Sequence, residues 1–112
     1  MITPEVVREL AMSLSGTEER GHCGIPSFRV RKIYATLWPD DNWVHLMLSP
    51  EMQHELIAES PGIFQQLPNK WGLNGATRVF LDQISREEML VVLRLAWSLA
   101  QPKPTSKKSI VR

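Results

Sequence analysis

Apolar residues recur along this chain with two periods, and the points where the period changes mark out the elements. Val7, Leu10, Ala11 and Leu14 fall on one stripe at helical spacing. Thr3 serves as N-cap and Pro4 occupies the first turn, where its missing N–H costs nothing. Gly16 then supplies the left-handed residue that stops a helix, so the pattern predicts a helix from Pro4 to about Ser15. Thr17 to Gly24 is polar and reads as a loop. From Ser27 the apolar residues alternate instead. Phe28-Arg29-Val30-Arg31, Ile33-Tyr34-Ala35-Thr36-Leu37-Trp38 and Trp43-Val44-His45-Leu46-Met47-Leu48 each show it, with a turn cluster at Pro39–Asn42. They predict three consecutive antiparallel strands, a meander.

Ser49-Pro50-Glu51 has the cap, proline and early acid of a helix start, and Ser60-Pro61-Gly62 ends that helix near Glu59. Ile63 to Leu67 reads as a short strand, Pro68 to Gly75 as a loop that sets Trp71 against the sheet edge, and Thr77 to Asp82 as another strand. Ser85 and Glu88 form a capping box. The closing helix carries Met89, Val92, Leu93, Ala96, Trp97 and Ala100 on a wide apolar stripe. Pro102 and Pro104 stop it, and Lys103 to Arg112 reads as a disordered basic tail. The order is α-β-β-β-α-β-β-α. It implies an α+β fold of two layers, an antiparallel sheet with helices on one face, in a single domain over residues 1–101 with a tail at 102–112.

Alternation sorts the strand residues into two faces. Phe28, Val30, Ile33, Ala35, Leu37, Val44, Leu46, Leu48, Val79 and Leu81 are uniformly apolar and are expected beneath the helices. Arg29, Arg31, Tyr34, Thr36, Trp38, Trp43, His45, Met47, Arg78 and Phe80 make up the other set. A merely solvated face would hold Lys, Glu, Thr and Ser, whereas this one mixes arginines with aromatics. Those types concentrate at protein interfaces, and they stack on bases and neutralise phosphates in single-stranded nucleic acid. Cross-strand pairing of Tyr34, Trp38 and Trp43 that only stabilises the sheet is the plainer alternative.

Composition narrows the field. The length of 112 residues suits one domain, and a formal net charge of +1 implies that any phosphate binding is weak and salt-sensitive. Cys23 is the lone cysteine, which excludes an internal disulfide and a cysteine-based zinc cluster and suits a reducing cytoplasm. Glu5, Arg8 and Glu9 interrupt the first apolar stretch, so no secretory signal or membrane partner is expected. Enzyme chemistry finds little footing. His22 and Cys23 are adjacent and point apart, and His22, His45 and His54 lack metal-ligand spacing. Glu18-Glu19 and Asp40-Asp41 are sequence neighbours that do not face each other, and Gly72-Leu73-Asn74-Gly75 leads into a strand rather than a phosphate-binding helix. No catalytic residue, metal or cofactor is expected.

Pro26-Ser27-Phe28-Arg29-Val30, Lys32-Ile33-Tyr34-Ala35-Thr36-Leu37, Ser49-Pro50-Glu51 and Trp71-Gly72 through Leu81-Asp82, in that order and spacing, resemble the MmcQ/YjbR family of small bacterial proteins. The resemblance runs from the first helix to Ala100. It implies an α+β fold of the secretion-chaperone-like type, also compared with frataxin, and a DNA-binding label. Similar members place glycine in the first hairpin turn, where this chain has Arg31 and Lys32, residues that tolerate positive φ poorly. The combined expectation is a non-enzymatic binding module. Arg29, Arg31, Arg78 and Lys70 would meet phosphates, Tyr34, Trp38 and Trp43 would stack on bases, and His45 would lie among them. The alternative is a protein partner or a homodimer on the same face.

Overall fold

The computed structural model describes residues 1–22 and 24–101. The readings made of Cys23 and of the tail from Pro102 onward lie outside them. The elements are α1 (Pro4–Met12), β1 (Glu18–His22), β2 (Ile25–Arg29), β3 (Ile33–Trp38), β4 (Trp43–Met47), α2 (Pro50–Glu59), β5 (Phe64–Gln66), α3 (Lys70–Leu73), β6 (Ala76–Phe80) and α4 (Arg86–Ala100). Six strands form one antiparallel sheet in the order β1-β2-β3-β4-β6-β5. The meander is β1-β2-β3-β4, one strand longer than expected. The chain then leaves the sheet for α2 and returns to pair β6 on β4, with β5 at the edge.

The capping grammar is realised. Thr3, Ser49 and Ser85 each accept a hydrogen bond from the backbone N–H three residues on, satisfying donors that a helix start leaves orphaned. The first helix ends at Met12 rather than near Ser15, the last strand ends at Phe80 rather than Asp82, and two elements depart from the expectation in kind. Glu18–His22 is a strand, paired residue by residue with β2, although its sequence is polar throughout. It lies at the sheet edge, so alternation had no buried face to reveal it. Lys70–Leu73 is a turn of helix rather than loop, capped by Asn69, whose Oδ1 accepts from the Gly72 N–H at 3.2 Å.

The buried core lies between one sheet face and the helices. Phe28, Ala35, Leu37, Val44, Leu46, Leu48, Val79 and Leu81 are buried as expected, against Val7, Leu10 and Ala11 of α1 and Met89, Leu93 and Ala96 of α4. Two assignments are reversed. Tyr34 is wholly buried, and Ile33 is 46% exposed. The cause is a bulge. Phe28 pairs with Ala35 but Arg29 pairs with Ile33, so Tyr34 is an extra residue without a partner on β2. Alternation slips there, and Tyr34 turns into the core with Ala35. Its hydroxyl donates to the Ala11 carbonyl at 3.3 Å and shares a hydrogen bond of 2.9 Å with Thr17 Oγ1. Tyr34 is therefore not a base-stacking residue. The bulge also resolves the glycine-free turn. Val30 N–H reaches the Lys32 carbonyl at 3.2 Å, and among the described non-glycine residues only Asn42 has a positive φ.

Candidate functional site

The face away from the helices is built on register. Arg20, Ser27, Thr36, His45, Arg78 and Gln65 stand opposite one another across all six strands, and Trp38, Trp43 and Phe80 form the next row. Side chains on one face of paired strands touch laterally. Arg78 sits at the junction of these rows. Its guanidinium carbon lies 3.9 Å from the centroid of the Trp43 ring. Nε–H donates to His45 Nε2 at 3.3 Å, and Nη1 donates to Gln65 Oε1 at 3.2 Å. Around it, the Trp43 and His45 rings are stacked 6.2 Å apart, Trp38 tilts over His45 at 5.6 Å, and Phe80 meets Trp43 edge-on at 6.0 Å.

This packing fixes the protonation of His45. A guanidinium only donates, so the Nε2 that accepts from it carries no proton and the neutral ring keeps its proton on Nδ1. Burial and the adjacent Arg78 charge lower the His45 pKa to about 4, against a smaller opposing pull from Asp41. Arg78 itself has no carboxylate within ion-pair distance among the described residues, where the ion pairs join Arg8 to Glu19, Arg20 to Glu18 and Arg86 to Glu9. It is a cation held by neutral groups on an aromatic ring.

Beside it opens a cleft of about 520 Å³. Thr36, Trp38, His45, Met47 and Arg78 form its floor, and Ile33 lines one side. The opposite wall is the segment that enters α3, with Leu67, Pro68, Asn69 and Trp71. The wall is fixed by close backbone contact. A Cβ on Gly72 would overlap the Leu67 carbonyl, and one on Gly75 the Leu48 carbonyl, so both positions require glycine. From α2, the buried Gln53 amide donates to the Gly72 and Ala76 carbonyls at 3.0 and 2.9 Å, tying α3 to β6. Trp71, anchored by its backbone, is 63% exposed and lines the cleft.

The expected residues divide accordingly. Trp38, Trp43, His45 and Arg78 come together. Arg29 lies further along the face, donating from Nη2 to the Arg31 carbonyl at 3.2 Å, and Arg31 is exposed in the turn. Lys70 is exposed on α3 and does not line the cleft. Trp71, Asn69 and Gln65 were missed as site residues. The signal for the first two lies in the sequence, since Asn69 three residues before Gly72 is an N-cap that makes Trp71 helical. Gln65 depends on the pairing of β5 with β6, which no local pattern gives. Among the described residues, no three His, Cys, Asp or Glu side chains gather as metal ligands, and no helix is long and apolar enough to cross a membrane.

A family model described as YjbR matches residues 12–99, which takes in the whole sheet and all but the end of α4. The chain belongs to the YjbR family. A crystal structure similar to this YjbR domain is that of Deinococcus radiodurans protein DR2400, assigned to domain DUF419. The two share 20% identity with a TM-score of 0.74 over 97% of this chain and 82% of the other, a likeness of fold. No curated protein matches the chain.

Proposed function

We propose that this chain is a non-enzymatic binding module of the cytoplasm that takes single-stranded nucleic acid, DNA in the first instance, on its open sheet face. The observation that carries the reading is Arg78. A guanidinium without a carboxylate partner among the described residues, laid on Trp43 and set in the floor of a cleft that Trp71 walls, is equipped for a phosphate and the base beside it. The near-neutral chain makes that binding weak and salt-sensitive. Tryptophan fluorescence followed during titration with a short single-stranded DNA is expected to quench to saturation at low salt. Arg78→Ala is expected to weaken binding and flatten its salt dependence. Unchanged affinity and slope in that variant would remove the reading.

A second reading is favoured by the apolar exposure around the cleft. Trp71, Leu73 and Ile33 are 63%, 68% and 46% exposed, a composition suited to a protein partner or a second copy of the chain. Light scattering separates the two, because self-association through this face predicts a dimer that Trp71→Glu returns to monomer.

A further inference from the structure

We infer that the cleft is a site for a single nucleotide, one base against the Trp71 wall and one phosphate on Arg78, rather than a length of track for a running strand. The inference rests on the nucleic-acid reading of the face and deepens it. Size is the first argument. A volume of about 520 Å³ falls in the range of pockets that take one small molecule, and the segment entering α3 walls one side of it.

Charge is the second argument. Arg78 is the single cation among the lining residues, and His45 beside it is neutral, since it accepts at Nε2 from the guanidinium. One positive charge matches one phosphate. Arg29, Arg31 and Lys70, which a strand would need for its next phosphates, do not line the cleft. Arg78 commits its Nε–H to His45 and one Nη1–H to Gln65, which leaves its second Nη1–H and both Nη2–H groups free to donate to a phosphate. The walls supply the rest. Trp71, Pro68, Leu67 and Ile33 offer flat apolar contact to a ring, and Asn69, whose Oδ1 is engaged by the Gly72 N–H, keeps its amide donors for a base edge.

Calorimetric titration of the full chain with deoxythymidine monophosphate, with thymidine and with a short oligothymidylate tests this directly. The monophosphate is expected to bind about as tightly as the oligonucleotide and at least about tenfold more tightly than the nucleoside, a difference of about 1.4 kcal/mol. The logarithm of the oligonucleotide's affinity is expected to fall with the logarithm of salt at a slope of about −0.7, the value for one phosphate on a single strand. Arg78→Ala erases the preference for monophosphate over nucleoside, and Arg78→Lys restores part of it. Trp71→Ala weakens both ligands. Because Trp71 is exposed, that variant keeps the fold and carries the test if Arg78→Ala does not. An oligonucleotide that binds while the monophosphate does not, or a salt slope several times steeper, overturns the single-nucleotide site and leaves the nucleic-acid face standing. Failure of all three ligands at low salt removes both.

Discussion

Tyr34 shows what one extra residue does to a face. The alternation Tyr34-Thr36-Trp38 placed it among the aromatics over the open sheet, and a bulge that no local spacing announces turns it into the core. Trp38, Trp43, His45 and Arg78 were legible because their strands run in unbroken register. Tyr34→Phe removes a buried hydroxyl with two partners and is expected to cost about 1 kcal/mol in chemical denaturation. As the chain has one tyrosine, phenolate absorbance during an alkaline titration reads this residue alone. Its midpoint is expected above the ordinary 10.0, because burial raises it against the smaller pull of the Thr17 hydrogen bond. His45 makes the opposite kind of statement at acid pH. With a pKa of about 4 in the fold against 6.5 unfolded, it leaves the unfolded chain binding the extra proton between those values. Its contribution to stability is therefore full above 6.5 and is lost as pH falls toward 4. The slope is at most about 1.4 kcal/mol per pH unit, and less here because solvent screens a half-buried ring. Denaturation midpoints measured across that window are expected to fall in the wild type and to flatten in His45→Gln.

Among the elements, α3 carries the most for its size. A turn of helix this short has little stability of its own, so its position comes from what holds it: Gly72 against the Leu67 carbonyl, Gly75 against the Leu48 carbonyl and the Gln53 amide. Gly75→Ala combines overlap with a φ of +112 that a side chain resists, and is expected to cost on the order of 3 kcal/mol or more by thermal denaturation. Gly62→Ala, with open space around its Cβ, serves as the control and is expected to change little. The helices were the legible elements. Thr3, Ser49 and Ser85 each declared a start, and α2 falls on the bounds read for it, Pro50–Glu59. What stayed hidden was polar or glycine-rich. β1 spends Glu18, Glu19 and Arg20 at a solvated edge, with no apolar alternation to show, and two glycines masked α3 as loop.

For the whole molecule, sequence order gave the α+β architecture, and long-range pairing supplied the rest. Nothing local says that β6 lies between β4 and β5, yet that placement brings Arg78 to His45 and Gln65. If the face serves nucleic acid, the chain is expected to remain monomeric by light scattering at the concentrations where oligonucleotide binds. A dimer dissociated by Trp71→Glu would transfer the face to a protein partner. The same pairing has a consequence in time. The β1-β2-β3-β4 meander can zip by short turns, but β6 reaches β4 only after the segment from Leu48 to Gly75 has closed as a loop, a slower kind of contact to make. Arg78 arrives on that last strand. A chain that has not yet paired β6 thus displays Trp38 and Trp43 with no cation above them, and capture of a ligand through Arg78 reports that β6 has docked on β4.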